Sequence, residues 1–355
     1  MRIAELVSEA WRNILSGTTR LPLFAFLILG AIAVPAILDT ATILGIEQQA
    51  RQYITSGAAT KYIAVEKGVD SSSCDALHSY TKVTAAGALR AAPDATIAGL
   101  PGATIQTYAV SSGFTRILGI SSSREGIWLS KSFARSLGVT PGSTLTVNGT
   151  PTPIAGMFDY PEDGRDTRLT QAIVIPTLDD DAPFDECWMS TWPIPKDPDA
   201  LLRTALSADG ALNSDVTIAQ LNRSLGSELN AHALFTARLT QWAPAAAGIA
   251  AIAIGFASIR LRRLEYAAAL HAGLSRLAMI AGVLVETSAW VAVGAATAVA
   301  TAATVITILD PRSFPDLLSF IWVSGLAAAG GALLGALAAA SSVRESALFR
   351  YFKER

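Results

Sequence analysis

The sequence predicts a membrane protein that combines four transmembrane α-helices with one large α+β domain outside the membrane. The chain of 355 residues is 51% hydrophobic and only 16% charged, whereas about 25% of the residues in a typical soluble domain are charged. Its hydrophobic residues are concentrated in four uncharged segments of at least 18 residues. Each segment is long enough to cross a bilayer core of about 30 Å as a helix. The remaining long stretch, of about 200 residues, is large enough for a hydrophobic core of its own.

These segments predict the following organisation along the chain: a cytoplasmic amphipathic helix (1–20), a first span (21–39), an extracytoplasmic α+β domain (40–237), a second span (238–259), a cytoplasmic connection with the start of the third helix (260–285), a third span (286–309), an outer turn (310–316), a fourth span (317–343) and a cytoplasmic tail (344–355). A cleaved signal peptide is the alternative for the first segment. A long leader and 18 uncharged residues favour a span.

Basic residues set the predicted orientation, because loops rich in Lys and Arg stay in the cytoplasm. They cluster in the N-terminal segment, the connection and the tail: Arg2, Arg12, Arg20, Arg260, Arg262, Arg263, Arg276, Arg344, Arg350, Lys353 and Arg355. Four spans place these three regions on one side, so we expect a multi-pass protein of the cell membrane with both termini in the cytoplasm. The segment 40–237 has 14 Lys and Arg against 20 Asp and Glu, which gives no support for nucleic-acid binding.

The N-terminal segment and the outside domain show local structural signals. Apolar residues at helical spacing in segment 1–20, with Trp11, predict a helix that lies at the membrane interface or packs against a partner. In the outside domain, Asn148-Gly149 predicts a tight hairpin turn. We expect strands at 62–65, 104–110, 127–129, 143–147, 150–157, 172–175 and 216–218, and helices at 130–137, 198–208 and 219–238.

The cysteines Cys74 and Cys187 both lie in the domain predicted to be outside, where an oxidising compartment permits a disulfide. We predict that they are bridged, and two buried free thiols are the alternative.

The connection carries a family resemblance. Arg263-Leu-Glu265-Tyr-Ala-Ala-Ala-Leu-His-Ala-Gly273-Leu-Ser275-Arg276, followed by Glu286, resembles the segment between the second and third spans of MacB/FtsX-type ABC permeases. The segment Glu-Ala-Trp-Arg-Asn at 9–13 is similar to the start of such permeases, and 112–119, 129–147 and 154–158 are similar to their MacB-like core domain. Leu270 and Ala272 depart from the family pattern, which usually has Arg and Leu there. An ordinary basic loop is the alternative interpretation of the charges.

The resemblance implies a permease subunit without enzymatic activity of its own. A separate cytoplasmic ABC ATPase would bind ATP and Mg, and a second permease copy, identical or paralogous, would complete the complex in the membrane lipid. ATP hydrolysis would move the outside domain, which would either drive export of a peptide, antibiotic or lipid-linked cargo or transmit force to a partner. The residues expected to couple the ATPase to the spans are Arg262, Arg263, Glu265, Gly273, Ser275 and Arg276. A membrane-anchored sensor or regulator that works without an ATPase is the alternative function.

The sequence contains little other chemistry. It lacks the G-x-x-x-x-G-K-[ST] phosphate-binding loop, and no catalytic residues and no metal site are predicted. His78 stands four residues after Cys74, but such a pair alone is a weak metal signal. The acidic residues 179–181 with Asp185 and Glu186 predict a solvated loop, with a Ca²⁺ site as the alternative.

Within the spans, two features are candidates for function. Glu286 is a carboxylate at the edge of the third span, where we expect a structural or coupling role. Gly331 and Gly335 lie in a run of small residues that lets helices approach closely. That surface packs either against another span of the same chain or against a second copy.

Overall fold

The computed structural model describes residues 3–100, 102–120, 125–177, 182–212, 215–309 and 314–353. The chain forms two compact units, one of Met1–Ile46 with His232–Arg355 and one of Glu47–Ala231. We call them the helical unit and the sheet unit. The predicted domain 40–237 begins seven residues before the sheet unit and ends six residues after it.

The helices, numbered along the chain, are α1 (Ile3–Leu15), α2 (Leu21–Thr55), α3 (Ser71–Ala76), α4 (Phe114–Leu118), α5 (Lys131–Leu137), α6 (Pro198–Arg203), α7 (Ala208–Ala211), α8 (Ala231–Ala237), α9 (Ala243–Arg260), α10 (Arg263–His271), α11 (Arg276–Leu309), α12 (Phe314–Ser342) and α13 (Leu348–Lys353). Within the described residues, four helical stretches are long and apolar enough to cross a membrane, namely Leu21–Thr55, Ala231–Arg260, Arg276–Val305 and Ile321–Ser342. The predicted outer turn lies mostly outside the described residues, because 310–313 are not among them.

The first apolar helix extends beyond its apolar segment. α2 continues for 16 residues past the predicted end of the span at residue 39, and it is uninterrupted even at Pro35. Its 35 residues correspond to about 50 Å of helix, well over the thickness of a bilayer core. The sequence prediction ended at Asp39 because the first charged residue was taken as the limit of the apolar stretch, but a charge does not end a helix.

Small residues bring α9 and α12 into close contact. A methyl group on Gly331 would lie 2.3 Å from the carbonyl oxygen of Gly248, and one on Gly335 would lie 2.0 Å from that of Ile252. Such distances leave no space for a side chain, so the two backbones touch along this line. Gly331 and Gly335 therefore pack against another helix of the same chain, which is one of the two possibilities that the sequence left open.

A buried ion pair joins α2 to the segment before α9. Arg238 Nε lies 2.9 Å from Asp39 Oδ1, and the side chains are only 6% and 5% exposed. Arg238 also donates a hydrogen bond of 2.6 Å to the carbonyl oxygen of Phe235 and lies over its ring at 3.9 Å. Because each charge is matched inside the unit, both can be buried.

The sheet unit contains a mixed sheet. Its strands are β1 (Thr60–Val69), β2 (Val83–Thr96), β3 (Thr104–Val110), β4 (Ile127–Ser130), β5 (Thr144–Val147), β6 (Thr150–Phe158), β7 (Ile173–Pro176), β8 (Phe184–Thr191) and β9 (Thr217–Gln220). Among the described residues their order is β5-β6-β4-β7-β3-β2-β8-β1-β9. The pairs β3–β7 and β4–β6 are parallel, and the other neighbours are antiparallel.

Apolar side chains from the sheet form separate core clusters. One is centred on Phe114, Trp128 and Trp188, all of which are 0–2% exposed. Another contains Cys74 and Cys187, which form a disulfide, so the predicted bridge is confirmed. The bridge joins α3 to β8 and excludes Cys74 as a metal ligand.

Most predicted strands of this unit are present, but one predicted helix is wrong. Residues 219–238 do not form one helix, since β9 continues to Gln220 and helix α8 begins only at Ala231. The Gln220 and Asn222 side chains bind backbone carbonyls of the sheet unit, at 2.6 Å from Ala58 and 3.0 Å from Ser56. Those bonds hold the segment in a non-helical path. The predicted helix 198–208 is also shorter, because α6 ends at Arg203.

Candidate functional site

The predicted cytoplasmic connection consists of one short helix between two tight breaks. α9 ends at Arg260, α10 covers Arg263–His271, and α11 starts at Arg276. Gly273 follows α10 with a φ of +93°, a backbone conformation that residues with a Cβ rarely adopt. The Ser275 hydroxyl accepts a hydrogen bond of 3.3 Å from the amide of Ala278 at the start of α11. Gly273 therefore allows the chain to leave α10, and Ser275 caps the start of α11.

Five side chains meet where this connection contacts α1 and α11, and we call them the Arg262 cluster: Asn13, Arg262, Glu265, Tyr266 and Glu286. The Arg262 guanidinium forms an ion pair with Glu286, and its Nε lies 2.9 Å from Glu265 Oε2. Asn13 Nδ2 donates a hydrogen bond of 2.7 Å to the other oxygen of Glu286. The guanidinium also lies over the Tyr266 ring, 5.0 Å from its centroid. The cluster thus links the start of α10 to α11 and to α1, which is distant from both in sequence.

The two central charges of the cluster are shielded from solvent. The side chains of Arg262 and Glu286 are 10% and 7% exposed, whereas that of Glu265 is 56% exposed. Burial, followed by the charge of Glu286, raises the pKa of the Tyr266 hydroxyl. The phenol therefore stays neutral, and Glu286 is the carboxylate that balances Arg262 inside the protein.

A cavity of about 200 Å³ opens beside the cluster, between α1, α10 and α11. Glu9 and Asn13 line it from α1, and Met279 and Val283 line it from α11. Within the described part of the chain, no three His, Cys, Asp or Glu side chains are close enough to hold a metal ion. The arrangement suits a mechanical connection, since its charges hold helices together.

The C-terminal tail packs on the other face of α10. The Arg263 guanidinium lies over the ring of Tyr351 in α13, 4.9 Å from its centroid. His271 Nδ1 lies 2.9 Å from Glu345 Oε1, and both side chains are more than half exposed. The tail and the connection therefore form one structural element.

Several apolar side chains of the connection and tail are exposed. Leu261 and Leu277 are 62% and 82% exposed, and Phe349 and Phe352 are 88% and 70% exposed. Arg276 is also exposed beside Leu277. We refer to Leu261, Arg276 and Leu277 as the connection surface, which combines apolar and basic groups at the ends of two apolar helices.

The structure brings only some of the sequence-predicted residues together. Arg262, Glu265 and Glu286 are in direct contact, whereas Arg263 contacts the tail and Arg276 is on the connection surface. The expected direct contact of Arg262 with an ATPase does not fit its burial, because little of the guanidinium is left for a partner. The sequence does not show this burial, because the ion pair of Arg262 with Glu286 is a tertiary contact.

Two members of the cluster, Asn13 and Tyr266, were not predicted as site residues. A signal for each was present, since Asn13 ends the motif Glu-Ala-Trp-Arg-Asn and Tyr266 follows Glu265 in the connection motif. Neither motif reveals that the two side chains belong to one cluster, because 253 positions of sequence separate them.

The acidic residues of the sheet unit have structural partners. Asp185 accepts hydrogen bonds of 3.0 and 3.1 Å from the amides of Lys67 and Ala91. Glu186 binds Arg168 and accepts a hydrogen bond of 2.7 Å from the indole of Trp188. Residues 179–181, the rest of the possible Ca²⁺ site, lie outside the described residues.

Comparison with known proteins gives limited similarity. No family model and no curated protein matches the chain. Among solved structures, the chain is similar to the periplasmic region of MacB from Actinobacillus actinomycetemcomitans, with 10% identity over 46% of this chain and 89% of that one, and a TM-score of 0.33. It is also similar to the extracellular domain of the noncanonic ABC-type transporter YknZ from Gram-positive bacteria, with 11% identity over 45% of this chain and all of that one, and a TM-score of 0.31.

Proposed function

We propose that the chain is the permease subunit of an ABC-type transporter or force-transmitting complex, in which a separate cytoplasmic ATPase moves the domain outside the membrane. The cargo would be a peptide, an antibiotic or a lipid-linked molecule. A second permease copy, identical or paralogous, would complete the complex. ATP and Mg would bind to the ATPase, and this chain would supply no catalytic group.

The Arg262 cluster is the observation that carries the proposal. A connection that merely links two spans needs no buried charges, since exposed basic residues suffice for orientation. Here an arginine and a glutamate are buried as a pair, and an asparagine from α1 completes the arrangement. Because breaking such a pair costs about 3–5 kcal/mol, it holds the start of α10 against α11. A rigid connection is what a subunit needs if force is to enter the spans there.

The connection surface is the proposed docking site of the ATPase. Exposed leucines beside an exposed arginine combine apolar contact with charge complementarity, as is usual at the centre and rim of an interface. Movement of the ATPase would displace α10. The ion pair between Arg262 and Glu286 would pass that displacement to α11, and the glycine contacts of α12 would pass displacement of α9 to the fourth span.

Purification of the full-length chain from its native membranes in a mild detergent tests this proposal. Mass spectrometry of the bound proteins should find a P-loop ATPase in stoichiometric amount. Leu277→Asp should remove the ATPase, because it places a charge in the docking surface without touching the Arg262 cluster. Leu212→Asp is the matched control, since Leu212 is exposed to a similar extent, at 88% against 82% for Leu277, but belongs to the sheet unit.

Absence of any ATPase would refute the proposal if a known complex of this kind survives the same conditions. The membrane-anchored sensor or regulator would then be the better interpretation. Equal loss of the ATPase in both leucine variants would show that the connection surface is not the docking site.

A further inference from the structure

A second cavity, of about 240 Å³, lies wholly within the sheet unit. Its floor consists of buried apolar and aromatic side chains, Leu118, Tyr160, Trp188 and Leu221, which are at most 8% exposed. Ile54, Ile117 and Trp192 extend this apolar lining toward the rim. The site can therefore remove an apolar group from water.

Polar groups within the cavity are mostly occupied by their neighbours. The hydroxyls of Thr60 and Ser190 lie 2.7 Å apart and bond to each other. The Tyr160 hydroxyl donates a hydrogen bond of 2.7 Å to the carbonyl oxygen of Asp166. These groups have little left to offer a polar ligand, so the deep part of the cavity favours an apolar one.

Among the described charged side chains that line the cavity, one cation has no ion-pair partner. Arg165 binds the carboxylate of Asp163, with its Nη2 2.7 Å from Oδ2, and Asp159 lies 2.5 Å from Lys131 Nζ. Arg116 on α4 lines the same cavity, is exposed, and forms no side-chain hydrogen bond or ion pair with the described residues. Its guanidinium is therefore the charge available to a ligand, and it prefers a planar anion such as a carboxylate.

We infer that this cavity binds a small amphiphilic anion, with its apolar group on the aromatic floor and its carboxylate on Arg116. The volume is below the range of about 300–1,000 Å³ typical of sites for whole drug-sized molecules. The ligand is therefore either an aromatic acid of one or two rings or the carboxylated apolar end of a longer molecule. The inference concerns the sheet unit alone and does not depend on an ATPase partner.

Naphthalene-1-acetate and its neutral counterpart naphthalene-1-acetamide are suitable probes, because they have nearly the same shape and differ in charge. Binding to the full-length chain in lipid nanodiscs would be measured by equilibrium dialysis, with empty nanodiscs as the blank. The acetate should bind saturably and about tenfold more tightly than the acetamide, the size expected for one charge-assisted hydrogen bond.

Variants separate the two halves of the site. Arg116→Gln should abolish the preference for the acetate, and Arg116→Lys should keep part of it. Trp192→Leu should weaken both probes alike, because it removes apolar contact only. Arg203→Gln is the matched control, since Arg203 is an exposed arginine that does not line the cavity.

The inference is overturned if the chain binds no more probe than empty nanodiscs do, or if Arg116→Gln keeps the preference for the acetate. Neither result would bear on the proposed permease function, which co-purification tests separately.

Discussion

Replacing Glu286 by Ala should destabilise the helical unit by about 3 kcal/mol. The carboxylate accepts hydrogen bonds from Arg262 and Asn13, and a hydrogen bond to a charged group contributes about 1.5–3 kcal/mol. The Arg262 guanidinium would be left buried with Glu265 and the Tyr266 ring as its remaining partners. Breaking a buried ion pair costs about 3–5 kcal/mol. We expect a value at the lower end of that range, because Glu265 and the Tyr266 ring still stabilise the guanidinium.

Glu265→Ala is the matched comparison, since it removes the other carboxylate on the same guanidinium. Its side chain is 56% exposed, and exposed ion pairs contribute no more than about 1 kcal/mol. Both variants would be unfolded reversibly with SDS in mixed micelles while helicity is followed by circular dichroism. Amide hydrogen exchange in α1 should also accelerate at least tenfold in Glu286→Ala, because Asn13 loses its partner, and not in Glu265→Ala.

Equal losses of stability in the two variants, or a loss of less than about 1 kcal/mol in Glu286→Ala, would contradict this expectation. Either outcome would mean that the buried pair is not what holds the connection. A double variant, Arg262→Met with Glu286→Leu, should recover most of the loss, because no charge is then buried alone.

Other changes test the remaining contacts. Gly335→Ala should cost about 1–3 kcal/mol in the same SDS assay, because its methyl group would meet a carbonyl oxygen at 2.0 Å, while Gly330→Ala, with nothing within 4 Å, should be neutral or stabilising. Asp39→Ala should cost about 3 kcal/mol, since it leaves Arg238 buried without its carboxylate. In the sheet unit, a hydrogen bond from an arginine lowers the pKa of Asp166. The stability from that ionised carboxylate is present above the unfolded pKa of about 3.9 and is lost as the pH falls through the lower folded pKa. Asp166→Asn should therefore flatten the acid side of a plot of melting temperature against pH, and an unchanged slope would contradict this account.

Local signals in the sequence predicted much of the sheet unit. The hairpin of β5 and β6 follows from Asn148-Gly149, and the helix predicted at 130–137 is present as α5, with Gly138 after it at a φ of +70°. The strands β2 and β8 were missed, although both lie inside the sheet. β2 is rich in alanine, and β8 begins with Phe-Asp-Glu-Cys, so neither has the β-branched pattern that marks a strand. Their position in the sheet depends on pairing with strands that are distant in sequence, and a local sequence pattern does not show such pairing.

The sequence predicted several residues of the candidate site but not the contacts between them. Charge and motif identified Arg262, Glu265 and Glu286, but they suggested that Arg262 faces a partner. In the structure Arg262 is instead buried in an ion pair with Glu286, and that pair depends on how the connection packs on α11. Tertiary contacts of this kind follow from the fold, whereas spacing in a single sequence carries no record of them.

The strand order also determines when the sheet can be completed during synthesis. β1 is the first strand made, yet its partners are β8 and β9, the last two. About 115 residues separate the end of β1 from the start of β8, which at roughly 5–20 residues per second means about 6–23 s of translation. Throughout that interval both edges of β1 lack their native partners and are open to pairing with other chains. The nascent protein therefore needs protection from aggregation for longest at the strand that follows α2 directly.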